Sequence, residues 1–512
     1  MLFDDNRILF FDARDIESRE NTTLVMNPPV KRGPCLVVEK EWELGGVRPL
    51  CVVEWQGTWR FYYRVSLVTP DASGYSGLTV SENPVASGYS GLTVSENSCL
   101  GMAVSSDGEN WERPELGVVE FGGSKANNLV STDAPRANEG CVFVDPSAPD
   151  DQRFKMVGHS QEEGGMFVLT SPDGLSFSRH PGNLLTFILD NHNTSFYDAR
   201  IGKYVIYSRG WDRDRPIPPM EGSRTVIRIE TGDLFAPVPF DENAPDPWPP
   251  SKKQEGLGHH GMRRVNKELP SVISPDEMDP PEADIYQAAA VQYLPDVYLG
   301  FPSLYYHHPW YPEGFINDGY LDLQLAFSRD GVEWRRDFRG SYVRLDLPDG
   351  PCTKMMHMLV GMVPHGDRLS QYYVGGRRSH GEGRTPDARP ERQPPKFGDP
   401  VVYRVEQRMD GFISADSGYT GGTLVTKPFA LESPNLRLNI DTSASGVAHA
   451  ALLDEGGAEI PGFGLEYSDR IQGNDTQYVL TWRKESDLSA LSGKKVRLLL
   501  KSRSAKLFAV YP

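Results

Sequence analysis

Three segments of the chain end a run of alternating apolar residues with the same Ser-x-Asp-Gly punctuation: VSSDGENW at 104–111, TSPDGLSF at 170–177 and FSRDGVEW at 327–334. Asp-Gly suits a two-residue type I′ hairpin turn, which needs φ > 0 at both central positions, and an aromatic three residues after each Gly pins the returning strand. Weaker echoes at 229–235 (IETGDLF) and 408–414 (RMDGFIS) raise the count to five. The Asp residues at 107, 173, 233, 330 and 410 stand 66, 60, 97 and 80 positions apart. Units of that length, built from strands alone, suit four-stranded sheets with generous loops, and several arranged radially make a β-propeller.

Each unit reads as four strands. The second runs CVFVD, FKMVGH, MFVLTS and SFSRH; the first ends in NWERP and the fifth in the final DGF. Helical periodicity of useful length is absent, so the predicted class is all-β. Residues 46–415 are assigned to a five-bladed propeller. A small, turn-rich stretch at 415–422 precedes a change of character, and the hairpins of 423–512 predict a β-sandwich. Residues 1–45 form a Pro-containing lead-in expected to wrap the first blade. ASGYSGLTVSEN recurs identically at 72–83 and 86–97 and is assigned to a lengthened loop without chemistry.

Lys and Arg total 53 against 70 acidic residues, a net charge of −17 that disfavours nucleic acid and anionic membrane surfaces as partners. Five scattered cysteines, with no C-x-x-C, read as reduced thiols rather than as a disulfide frame or zinc site. The start of the chain lacks a basic, apolar leader, and no segment approaches a membrane span, so the expected location is cytoplasmic. Oligomeric state has no signature in the sequence.

In an up-and-down meander, turns after the first and third strands share one face, which collects Asp107, Asp145, Asp173, Asp198, Asp330 and Asp367. These are expected to be turn formers. The other face collects the inner-strand entrances: Glu41 to Glu43, Asn138 and Glu139, Asp190 to Asn193, Glu282 to Tyr286, and Met355 to His357. Onto that face also come loops rich in rings and polar groups, YYHHPWYPEGFINDGY at 305–320, RGWDRDR at 209–215 and GGRRSHGEGR at 375–384. Aromatic faces stack on sugar C–H groups while Asp, Asn, His and Arg satisfy hydroxyls, so a carbohydrate is the expected partner.

The S-x-D-G-x-x-W/F hairpins and the count of five over residues 45–415 resemble the five-bladed propeller glycoside hydrolases, the clan of families 32, 43 and 68 and, more loosely, 117 and 130. The trailing sandwich is similar to that of family 32. Such enzymes place carboxylates at the inner-strand entrances, positions matched here by Asp190 and Asp284. The chain has no W-M-N-D-P-N-G stretch and no R-D-P triplet at the matching blades, and EADIY at 282–286 only loosely matches W-E-C-P-D. The resemblance therefore implies a divergent glycosidase group rather than a fructosidase.

Glycoside hydrolysis needs one carboxyl kept protonated and another kept ionised. Asp190 is assigned as base or nucleophile and Asp284 as a second catalytic or pKa-tuning carboxylate, with Glu139 and Glu282 as candidate acids and Asp318 as a loop-borne alternative. Tyr286, Asp318, His307, His357, Arg209, Trp211 and Arg377 are candidate substrate contacts. No cofactor and no metal site are expected; an axial structural calcium ion has no readable signature, and the adjacent His259 and His260 point apart on an extended chain. A phosphorylase or transglycosidase would use Arg377, Arg378 and His380 as an anion pocket. A glycan-binding propeller without catalysis is the alternative from a different class.

Overall fold

The structure is a computed structural model that describes residues 1–3, 6–66, 98–133, 140–160, 165–186, 189, 192–212, 215–217, 222–239, 269–308, 318–381 and 395–512. The tandem repeat, Glu139, Asp190 and His259–His260 lie outside the described residues. These are organised by strands, with only short 3-10 turns and no α-helix among them, and no helix is long and apolar enough to cross a membrane. Two compact units emerge, one of residues 1–2, 31–365 and 370–405, the other of 3–30, 366–369 and 406–512.

In the larger unit, strand pairing gives five consecutive meanders. Their first strands are Val47–Trp55, Val142–Val144, Thr194–Asp198, Ala283–Leu294 and Met355–His365. Each of these contacts the next, and the last contacts the first, so the five close into a ring, the strand arrangement of a β-propeller. Ring closure also carries a parallel bridge between Val360 and Cys51.

Inner strands in such a ring splay, which leaves backbone groups without a ladder partner, and side chains fill the gap. Val142 N donates to Cys51 Sγ (3.1 Å), and Ser195 N donates to Cys141 Sγ (3.0 Å). Each thiol in turn faces the carbonyl of the same residue, while Thr194 Oγ1 performs the same exchange with Ala288 O and Ala290 N. Burial, the largest influence, pushes the Cys141 thiol up to about 12 against its hydrogen bonds to Ser195, so it stays a protonated backbone surrogate.

The Ser-x-Asp-Gly segments do turn the chain, but not as type I′ turns. Only the glycines have positive φ, at 74°, 77° and 77° for Gly108, Gly174 and Gly331. Ser and Asp side chains replace the missing backbone bonds: Ser328 Oγ accepts from Gly331 N (2.8 Å), and Asp330 Oδ1 accepts from Val332 N and Glu333 N (2.8 Å each). The Gly carbonyl then receives a tyrosine hydroxyl from another meander: Tyr372 to Gly108 (2.6 Å), Tyr62 to Gly174 (3.0 Å) and Tyr207 to Gly331 (2.6 Å). The turn is thus a clasp between sheets. A Cβ on Gly331 would lie 2.7 Å from Tyr207 Oη, in a backbone region that side chains avoid. Gly331→Ala is expected to cost about 2–4 kcal/mol, from left-handed strain plus overpacking. Denaturant unfolding reads this directly, and an unchanged midpoint would remove the clasp from the account.

Two strand assignments, in the first and fifth meanders, differ from expectation. NWERP contributes only an isolated bridge between Val104 and Glu112, and the fourth strand of the first meander is Leu129–Thr132. The fourth strand of the third is Ser271–Ile273. The outer strand of the fifth comes from the N-terminal region, Val30–Val37 beside Pro400–Arg408, in place of the DGF segment. That segment is diverted because Asp410, at φ 53°, is held in the smaller unit by Arg7 Nη1 (2.9 Å) and Tyr511 Oη (2.7 Å).

The end of the lead-in packs on the first meander, where Glu43 accepts from Tyr63 Oη (2.9 Å), but its earlier strands go elsewhere. Ile16–Glu20 pairs with Gly422–Thr426, and Thr22–Met26 pairs with Ile413–Ser417, so these strands belong to the smaller unit's ten-stranded sheet. Within it, the long strand Arg437–Leu453 changes partners along its length, from Ala505–Tyr511 to Lys495–Arg503. Leu438, Ile440, Leu452, Leu498 and Trp482 are among its core residues.

Candidate functional site

The entrance of the fourth inner strand is fixed before its side chains are placed. Ala283 N closes a turn onto Pro280 O, and just upstream Asp279 is gripped by Arg336 and by Arg339 (3.2 Å). His307 N donates to Glu282 O (3.0 Å), which ties the end of Val297–His307 to the same point. Asp284 therefore enters the fold at a rigid position.

Asp284 is fully buried. Its Oδ2 accepts from Arg224 Nη1 (2.8 Å), from Arg224 N (3.2 Å) and from His307 Nε2 (3.2 Å). Arg224 begins the strand Ser223–Thr231 of the third meander, so the ion pair joins two sheets. Burial alone would raise the Asp284 carboxyl. The charge of Arg224, then the bond from His307, overcome it and hold the group well below the usual carboxylate range. Asp284 Oδ1 is buried with no hydrogen-bond partner.

Aromatic rings surround the cation. The Arg224 guanidinium lies 5.0 Å from the Trp211 ring centre, 5.6 Å from Tyr286 and 5.5 Å from Tyr305. His307 packs on Tyr305 with ring centres 3.9 Å apart. An ionised carboxylate only accepts, so His307 Nε2 carries the proton of that bond.

His380 stands between two phenols: Nδ1 is 3.2 Å from Tyr305 Oη and Nε2 is 3.1 Å from Tyr286 Oη. Asp318 brackets it, with Oδ2 accepting from Ser379 Oγ (3.1 Å) and Oδ1 from Gly381 N (2.5 Å). Asp318 is thus a buried clamp for the His380 segment rather than an exposed sugar ligand. Of the residues assigned to an anion pocket, Arg377 donates to the carbonyls of Gly350 (2.9 Å) and Asp349 (2.6 Å).

Arg209 donates to Tyr286 O (3.0 Å from Nε) and lies 4.7 Å from the Tyr286 ring centre, a role in holding that ring. His357 is buried, with Nδ1 3.1 Å from Ser303 Oγ. Burial, then the charges of Arg48, Arg209 and His192, push it down to about 3, so it stays neutral at ordinary pH. Glu43, at the first entrance, is closed off by Arg113 Nε (2.7 Å) and Tyr63 Oη (2.9 Å).

Among the turn-face carboxylates, Asp145 does more than form a turn: it also meets Lys155 Nζ (3.0 Å) and Tyr204 Oη (2.6 Å). Glu282 stands apart from the buried cluster, in a cleft of about 320 Å³ with Tyr306, His307, Tyr320 and Asp322. The structure thus gathers Asp284, His307, Tyr286, Trp211, Arg209 and His357, and sets Arg377 aside. Arg224 and Asp322 had no place in the sequence reading. The available signal for Arg224 was a charge inside the apolar run SRTVIRIE. Among the described residues, no group of three or more His, Cys, Asp or Glu side chains is arranged to hold a metal ion.

No protein-family model and no curated protein matches the chain. Solved structures similar to it include a protein titled glycoside hydrolase, at 10% identity and TM-score 0.43 over 74% of this chain and 92% of that one. A thermostable family-43 glycoside hydrolase is similar at 12% identity and TM-score 0.38, over 72% and 93%. A family-32 β-fructofuranosidase of Bombyx mori is similar at 11% identity and TM-score 0.35, over 95% and 94%.

Proposed function

We propose that the chain is a glycosidase acting on a neutral oligo- or polysaccharide at the mouth of its strand ring. The observation that carries this is Asp284, a carboxylate held ionised in full burial by Arg224 and His307 beside the rings of Trp211, Tyr286 and Tyr305. Burying charge is costly, and a site that shifts a carboxyl by specific partners among aromatic rings is the kind of place where acid and base chemistry is tuned. An ionised Asp284 is no proton donor; its role is to orient His307 and to tune the site. Asp190 is then the base or nucleophile, and Glu139 or Glu282 the acid. In hydrolysis with Asp190 as base, the acid gives its proton to the glycosidic oxygen as its bond to the anomeric carbon breaks, the water oxygen bonds to that carbon, and a proton of the water passes to the base.

The test is turnover of a panel of aryl glycosides and neutral oligosaccharides, with and without inorganic phosphate. Phosphate-independent release of reducing sugar, lost in Asp190→Asn, is expected. Strict phosphate dependence would replace the hydrolase with a phosphorylase. A second reading, a glycan-binding propeller without catalysis, is favoured by the three donors on Asp284 Oδ2 and the burial of both its oxygens. Binding without product from any glycan would establish it.

A further inference from the structure

The fourth sheet carries a second, unassigned feature on its other face. Its register pairs Tyr305 with Leu321, on the side of Asp284, and pairs Tyr306 with Tyr320 and Leu304 with Asp322. Side chains alternate along strands, so Tyr306, Tyr320 and Asp322 project together, away from the buried ion pair. With Glu282, His307 and Leu345 they line the cleft of about 320 Å³.

We propose that this cleft binds a single neutral monosaccharide residue, held by hydroxyl contacts to Asp322 and by stacking on Tyr320. The proposal rests on the glycoside reading and adds to it the place and charge of one sugar unit. One atom points to a ligand: Asp322 Oδ1 is buried and without a hydrogen-bond partner. An unmade hydrogen bond of this kind is expensive, and a ligand hydroxyl would satisfy it.

Chemistry then selects the ligand. Burial pushes the Asp322 carboxyl above its usual range, against the bond from Ser341 and the charge of Arg344. A sugar hydroxyl meets its free oxygen without bringing charge. Glu282 and Asp322 in the same space disfavour an anionic sugar. Tyr320 is 38% exposed, and its ring is oriented by His308 at 4.8 Å between centres, leaving a fixed aromatic surface at the rim. The volume lies at the small end of ligand clefts, suited to one sugar residue rather than to a run of polymer.

The experiment is saturation-transfer NMR on the full chain with free glucose, galactose, mannose, xylose, arabinose and fructose, and with glucuronate as the charged counterpart. At least one neutral sugar is expected to bind, and Tyr320→Ala and Asp322→Ala are each expected to weaken it about tenfold, with the far-UV circular dichroism retained. Tyr320 is at the surface, so its variant remains informative if Asp322→Ala fails to fold. Equal affinity in Tyr320→Ala, or preference for glucuronate, overturns the proposal. If no free sugar binds while the wild-type chain still cleaves a glycoside, the cleft is not a subsite and the glycosidase reading stands. If the chain neither binds nor cleaves any glycan, both fail together.

Discussion

Arg224→Met is expected to lower the unfolding free energy by about 3–5 kcal/mol, because it leaves the Asp284 carboxylate buried without its cation. The effect should depend on pH in a set direction. In the wild type Asp284 is held below its ordinary range, so it contributes stability above the unfolded value of about 3.9, and that contribution disappears as pH falls through the folded value. Without Arg224 the burial influence is largely unopposed and the folded value rises. The variant then loses stability at neutral pH and recovers relative to wild type as Asp284 protonates. Denaturant melts at neutral pH and near pH 4 should show the gap narrowing in acid. Arg224→Met combined with Asp284→Leu is expected to recover most of the loss, since apolar residues of similar volume often replace a buried pair without penalty. A gap that widens in acid would mean that the two side chains are not coupled as described.

The logic of that pair also marks what the sequence could convey. Asp284 was legible, since an acidic residue opening a long apolar strand is conspicuous, yet its partner lies 60 residues earlier and nothing local connects them. Arg224 and Arg228, spaced by four inside a buried strand, did announce that two charges must find partners, though not which ones. The Asp-Gly turns were readable as turns. Their type was not, because Ser105, Ser171 and Ser328 accept the Gly amides and leave the aspartates outside the left-handed region. Cys51 and Cys141 gave no hint of spanning 91 and 54 positions to reach a neighbouring strand's backbone. Strand existence follows from local alternation, whereas the outermost partner depends on which distant segment reaches the edge first. Val30–Val37 took that place in the fifth meander.

Asp284→Asn is expected to reduce turnover about 10²- to 10⁴-fold, the range seen when a group that orients and charges a catalytic imidazole or carboxylate is neutralised. An amide in this position cannot reproduce the carboxylate. With its oxygen toward Arg224 and His307, its NH₂ falls at the buried Oδ1 position, where no acceptor waits. Turned the other way, its NH₂ faces His307 Nε2 and forces that nitrogen to accept, which moves the ring proton to Nδ1. Either outcome removes the negative charge beside His307. Nitrogen-15 NMR of the imidazole distinguishes the two tautomers, a readout that simple loss of packing would leave unmoved. The loss should appear in kcat with a smaller change in KM, because Asp284 Oδ2 is occupied by protein donors and makes no room for substrate. Turnover unchanged by the substitution, in a protein that still melts cooperatively, would remove Asp284 from the chemistry and leave it as a tie between two sheets.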